Sequence, residues 1–238
     1  MAKNKTAIVT GAQQGIGAGI VDGFLKSGYS VVATSLRASE SLRPTADLLV
    51  VDGDIRDSET SAKSVEAALS HFGSVDVLVN NAGVYMAKPF TEFTVDDFNT
   101  LVSINLLGFL HITQLAVKQM LKQQSGCVIS ISAALADNPI AGVNGSVSMI
   151  TKGGLNTVTR HLAIEYAKQN IRFNAAAPGV VDTPLHRGSP KDDLYTRQPM
   201  GSIAEVSDVV DAVLYLAHAK QVTGEVLHVD GGAHVGSW

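Results

Sequence analysis

With 238 residues, 45% of them hydrophobic, the chain can bury a large core, and no Pro/Gly/Ser-rich linker or charge run divides it, so one α/β domain over residues 1–238 is expected. A formal net charge of −4, with 18 dispersed Lys and Arg, argues against a nucleic-acid face, which needs clustered cations. A single cysteine, Cys127, excludes an internal disulfide, and seven scattered histidines show no metal-ligand spacing.

The N-terminal residues run into the first apolar segment without a signal sequence, and no stretch reaches the about eighteen uninterrupted apolar residues of a membrane span. A cytoplasmic protein without a membrane partner is expected. Ala7-Ile8-Val9 reads as a short buried strand, and Ile16, Ile20 and Phe24 then recur on one face of a helix. Between them lies Thr10-Gly11-Ala12-Gln13-Gln14-Gly15-Ile16-Gly17. Strand, glycines and helix in that order make a phosphate-binding turn: Gly11 permits the turn, Gly15 lets backbone approach a bulky anion, and Gly17 lets helix pack on strand. The N–H groups of the new helix then face a pyrophosphate.

Further strands are expected at 29–34, 48–51, 75–79, 127–131, 172–175 and 226–229. Helical patterns fall between them: one through Val65, Leu69 and Phe72, one from the capping box Thr94-Val95-Asp96-Asp97 to Lys122, one over 146–168 and one over 205–217. Cys127 opens a strand and reads as a buried structural thiol. Strands alternating with helices imply right-handed crossovers and a doubly wound parallel sheet, here of seven strands, with helices on both faces. Residues Pro184 to Ser202 lack periodicity and read as a mobile flap.

In such a sheet, ligands bind beyond the carboxyl ends of the strands. Gly11 to Gly17, Ser35 to Arg37, Asp54, Asn81 to Gly83, Ser130 to Ser132 and Pro178 to Thr183 each follow a strand. They are expected to crowd one edge.

These segments, with Asn80-Asn81-Ala82-Gly83, Asn105-Leu106-Leu107-Gly108, Lys152-Gly153-Gly154-Leu155, Pro178 to Thr183, Thr223-Gly224-Glu225 and Asp230-Gly231-Gly232, resemble the short-chain dehydrogenase/reductase family of the classical type over essentially the whole chain. The resemblance implies a seven-stranded Rossmann-type domain, a nicotinamide cofactor and a homotetramer or dimer. It implies Asp54 and Ile55 at the adenine; Asn81, Ala82 and Gly83 along the ribose; and Pro178, Gly179, Val181 and Thr183 around the carboxamide. Lys152 would bind the nicotinamide ribose hydroxyls, and Asn105 would position a water in a relay to Lys152.

One departure stands out. The family places a tyrosine four residues before its lysine, as the acid or base that trades a proton with the substrate, and here that position holds Ser148. An aliphatic hydroxyl is far less acidic than a phenol, which ionises near about pH 10. The family serine also shifts: Ser132 ends the right strand, but the usual spacing lands three residues later on Leu135, so Ala133 to Asn144 read as a lengthened loop. His186, whose unperturbed pKa of about 6.5 suits proton transfer, is a candidate substitute, with Tyr195 a second. Both also read as ordinary loop residues.

At the end of the second strand, Ser35-Leu36-Arg37 stands where an NAD site carries Asp or Glu, so hydroxyl and guanidinium favour the 2′-phosphate of NADP, with NAD the alternative. Gln13 and Gln14 leave the glycine loop without a basic residue, and Arg37 also reads as a solvated loop charge. Two functions follow: an NADP-dependent oxidoreductase interconverting a carbonyl and an alcohol on a small or medium apolar substrate, with a non-standard proton donor, or a catalytically silent relative that binds a dinucleotide as sensor or partner subunit. No G-x-S-x-G elbow and no P-loop lysine is present for a hydrolase or phosphotransferase.

Overall fold

The computed structural model describes residues 4–186 and 194–236; positions 187–193 of the expected flap lie outside the described residues. Seven strands form one sheet: β1 (Thr6–Thr10), β2 (Ser30–Ser35), β3 (Leu48–Asp52), β4 (Val77–Asn80), β5 (Gly126–Ile131), β6 (Ile171–Pro178) and β7 (Val226–Val229). Their order is β3-β2-β1-β4-β5-β6-β7, and every pairing is parallel. Order reverses between β1 and β4. Both faces of the sheet are covered, which is why the strands read as unbroken apolar runs.

Strand alternation divides the core into two layers. Ala7, Val9, Val31, Val79 and Ile129 face α1 (Gly15–Lys26) and the last helix, while Ile8, Val32, Leu78, Val128 and Phe173 face the opposite side. Gly19 and Gly23 bring α1 against that last helix, Val206–His218, because a Cβ at either would lie 2.3 Å from Val206 or 2.5 Å from Val210. Between β2 and β3 a single-turn α2 (Ala38–Ser41) follows Arg37. The opposite layer holds α3 (Ser58–Ala67), which runs on as a π-turn to Phe72 and stops at Gly73, where φ is +87°.

The expected helix from Thr94 is one continuous rod with a change of winding. Thr94 and Asp97 close the capping box, α4 (Val95–Val102) passes into a π-turn at Ser103–Leu107, and α5 (Gly108–Gln123) completes it. Its length and apolarity would suffice to span a membrane, but Leu101, Ile112, Ala116 and Met120 are buried within the fold. The fourth strand begins at Val77 rather than 75, since the Gln123 side chain binds both the N–H and the carbonyl of Val75. Helix α6 (Ser146–Glu165) ends before Lys168, in a 3-10 turn closed by Asn170 at φ +56°. Cys127 is buried as expected, and burial pushes its thiol up to about 11.

Arg172, on β6, reaches the carboxyl end of the last helix, here α7 (Val206–His218). Its guanidinium donates to the carbonyls of Leu216 at 2.6 Å, Ala217 at 2.7 Å and Val222 at 3.1 Å. A cation there satisfies terminal carbonyls and opposes the negative end of the helix dipole. Arg172→Met is expected to destabilise the fold by about 2–3 kcal/mol in urea unfolding, with an unchanged m-value.

Candidate active site

The reversal of strand order between β1 and β4 opens a crevice at the carboxyl edge of the sheet, and two glycine-bearing loops meet there. Thr10, the last residue of β1, is buried; its hydroxyl accepts from the N–H groups of Asn81 at 3.1 Å and Ala82 at 3.0 Å and donates to the Val79 carbonyl. The Asn81 amide returns two bonds, to the carbonyls of Thr10 and Gly11, each 3.0 Å. This contact leaves no room for a Cβ on Gly11, which would lie 2.8 Å from Ala82 Cα, or on Gly17, which would lie 2.1 Å from the Gly11 carbonyl oxygen. Helix α1 then begins at Gly15 without a side-chain cap or an acidic residue in its first turn. Its leading N–H groups face outward with a positive dipole end, as an anion site requires.

Beside them lies a cleft of about 480 Å³, lined by Gly11, Gln13 to Gly17, Ser35, Leu36, Gly53 to Arg56, Asn81 to Val84, and Thr183 to Leu185. Five of the six expected loops therefore border it, and the sixth forms the wall of the next. Arg37 is the exception. Its exposed guanidinium turns to Glu40 at 3.5 Å, a nearer carboxylate on α2, and the residue does not line the cleft. Arg56 does, and sequence reasoning passed over it. Asp54 grips the Arg56 guanidinium at 2.6 and 2.9 Å and its N–H at 2.9 Å, and this pairing holds the Asp54 carboxyl below the usual carboxylate range. Ile55 is buried against Gly108, where a Cβ would meet it at 2.9 Å.

A second cleft of about 500 Å³ continues from the first and shares Gln14, Ile16, Asn81, Gly83, Thr183 and Leu185 with it. Ser132, Lys152, Pro178, Gly179 and Val181 line it, as does the lengthened loop after Ser132 through Leu135, Asn138, Ile140 and Val143. Lys152 donates from Nζ to the Ile131 carbonyl at 2.8 Å, and burial pushes the amine down to about 8. Ser132 donates to the Lys152 carbonyl at 3.3 Å, joining β5 to α6. A Cβ on Gly83 would lie 3.2 Å from Asn105 Oδ1 and 3.3 Å from Lys152 Nζ, so backbone, amide and amine converge at one point.

Asn105 is buried inside the π-turn. Its oxygen accepts from Val84 N–H at 2.8 Å, and its amide donates to the Val84 carbonyl at 3.0 Å and to Thr151 Oγ1 at 2.9 Å. Ser148, read from the sequence as a catalytic position, lines neither cleft. It is fully buried, donating to the Met86 carbonyl and accepting from the Met86 N–H, both at 2.9 Å. The turn of α6 instead presents Met149 and Lys152 to the cleft. His186 lines the second cleft at the end of a 3-10 turn, Pro184–His186; burial, then the charge of Arg197, moves it below its ordinary value. Tyr195 lines neither. Tyr85 and Arg197 do line the second cleft, and nothing in their local sequence announced it.

The sequence profile of the family described as Enoyl-(Acyl carrier protein) reductase matches residues 11–234. A 3alpha-hydroxysteroid dehydrogenase of Mediterraneibacter gnavus is 33% identical, the match covering 98% of each chain. The crystal structure of a 3-ketoacyl-(acyl-carrier-protein) reductase from Brucella melitensis, complexed with NADH, superposes with a TM-score of 0.90 at 30% identity, over 98% of this chain and 99% of that one. ElxO with NADP bound superposes with a TM-score of 0.91 at 28% identity, over 98% of this chain and all of the other (100%).

The buried amine yields a test that needs no ligand. In carbon-13 lysine NMR, one side chain is expected to titrate near pH 8, apart from exposed lysines near about 10.5, and to vanish in Lys152→Arg. The unfolded chain keeps this proton to higher pH than the native one, so Lys152 makes the fold more stable as pH rises through that window.

Proposed function

Because the chain belongs to the short-chain dehydrogenase/reductase family, we propose that it is an NAD(P)-dependent oxidoreductase, moving a hydride between nicotinamide and a carbonyl or alcohol on a small molecule, with a proton donor other than a tyrosine at position 148. The observation that carries this reading is the continuity of the two clefts past Gly83, with Lys152 and Asn105 at their junction. When bound, the nicotinamide supplies or accepts the hydride. The rest falls to the chain.

The residues fit a dinucleotide. The uncapped start of α1, with Gly11, Gly15 and Gly17 keeping the approach clear of side chains, would hold the pyrophosphate. Asp54 and Ile55 would meet the adenine, Asn81 to Gly83 the ribose, Lys152 the second ribose, and Pro178, Gly179, Val181 and Thr183 the carboxamide. NADP is favoured over NAD because Ser35 stands in the cleft where a carboxylate would bind a 2′-hydroxyl, and Asp52, its register neighbour, is occupied by Ser39. Arg56, rather than Arg37, is the cation that lines this end.

His186 is the better substitute acid, since it lines the substrate cleft and Tyr195 does not. One observation favours a second reading: the Ser148 hydroxyl is fully engaged with Met86, which suits a chain that binds dinucleotide without turnover. Exposed Phe98, Leu110, Ile150 and Ile164 on α4, α5 and α6 support self-association, and membership of this family supports a cytoplasmic setting.

Fluorescence titration is expected to show tighter binding of NADPH than NADH, followed by NADPH oxidation with some member of a carbonyl panel. His186→Ala should then lower kcat by about 10²–10⁴ with NADPH affinity unchanged. Tight NADPH binding with no turnover across the panel would instead favour the silent relative, and unchanged kinetics in His186→Ala would dismiss His186.

A further inference from the structure

We propose that the second cleft is built for a substrate bearing a carboxylate, which the guanidinium of Arg197 binds with help from the Tyr85 hydroxyl. The proposal rests on the reading above, that this cleft receives the substrate beside a bound dinucleotide. It adds the substrate's chemical class.

The first argument is a charge census. Among the described residues lining the cleft, Lys152 and Arg197 are cations and no Asp or Glu is present, in a chain where acids outnumber bases 22 to 18. Lys152 is committed, its ammonium donating to Ile131 at the junction with the first cleft. Arg197 is not. Among the described residues its side chain makes no ion pair, although it is half-buried in a cleft walled by Leu135, Ile140, Val143 and Met149. Arginine stays charged at any working pH, and a guanidinium against apolar walls favours an anion over a neutral ligand.

The second argument is placement. Next to Arg197 in sequence, Gln198 is buried and donates to the Val180 carbonyl at 2.8 Å, and the Arg197 N–H bonds Leu194, so an anchored turn presents the guanidinium. Tyr85 lines the same cleft, within reach of the Arg197 charge. Tyr85 is itself held in place from both sides: Asn105 binds the N–H and carbonyl of Val84, and Ser148 binds those of Met86. Gly145 leaves room for the ring, since a Cβ there would lie 2.9 Å from the phenol oxygen. Burial keeps that phenol protonated, and therefore a donor.

A carboxylate can accept from guanidinium and phenol together, a charge-assisted pairing stronger than either neutral bond. The apolar walls then suit a hydrocarbon body joining that carboxylate to the reacting carbonyl. A neutral substrate of the same shape would cover the Arg197 charge without compensation.

Calorimetric titration of the full chain, with NADPH present, compares 4-acetylbenzoate with its neutral isostere 4-acetylbenzamide. The acid is expected to bind about tenfold tighter, with a margin that shrinks as salt is added and disappears in Arg197→Gln. Equal affinities, no binding of either probe, or a preference that survives Arg197→Gln would overturn the proposal. NADPH titrated alone separates the two levels: failure of the unaltered chain to bind it sinks the underlying reading, whereas NADPH binding without acid preference sinks only this one. If Arg197→Gln loses the native melting temperature, Tyr85→Phe decides, being expected to weaken the acid and not the amide; an undiminished preference there overturns the proposal.

Discussion

A single buried hydroxyl, that of Thr10, holds the functional edge of this protein together. At the point where strand order reverses, the connections from β1 and β4 leave toward opposite faces of the sheet, and nothing in the β-ladder beyond Val9 and Val79 joins them. Thr10 bridges that gap by donating to Val79 and accepting from Asn81 and Ala82, and Asn81 closes the loop back onto Thr10 and Gly11. The requirement for glycine follows from this contact. Backbone drawn so close that a Cβ on Gly11 would sit 2.8 Å from Ala82 tolerates no side chain, so the glycines record the packing as much as any ligand.

Helix α6 extends the same logic across the second cleft. Within one turn it sends Ser148 onto Met86, Thr151 onto Asn105 and Lys152 into the cleft. The segment Val84 to Met86 has no β-ladder of its own, and its polar backbone would otherwise be stranded at a half-buried site. Asn105 and Ser148 supply the missing partners, each binding an N–H and a carbonyl. The π-turn at Ser103–Leu107 carries Asn105, consistent with the occurrence of such turns at working sites.

The parallel sheet was legible because buried strands are written as short apolar runs, and the site edge because its loops directly follow them. Winding was not: the π-turns after Val102 and Ala67 scarcely disturb a pattern of apolar residues three or four apart. Side-chain direction was not either. Arg37 and Arg56 are both loop cations after strands, and the choice between them is made by Glu40 and Asp54, carboxylates within three residues of each. Position 148 stands where the family resemblance leads one to expect a tyrosine, but a hundred degrees of helical turn per residue decides whether Ser148 or Met149 meets the cleft. Tyr85 and Arg197 come together only through the tertiary fold, so no local pattern marks either.

An acidic protein that is read as binding anions poses an apparent conflict, which the scale of screening resolves. At physiological salt, charges beyond about 8 Å of water are largely damped, so the net −4 of the whole chain matters less inside a cleft than the groups that line it. In the second cleft those groups are one-sided. The first cleft offers the uncapped N–H groups of α1 and an Arg56 whose charge Asp54 already balances, while the second offers Lys152 and Arg197 with no carboxylate among its described lining residues. Burial weakens one of these cations, for an amine held down to about 8 is partly neutral just above neutrality, whereas a guanidinium keeps its charge. The division of labour follows from that difference: Lys152 suits a place where hydroxyls are bound and protons move, and Arg197 suits one where a fixed negative charge must be held.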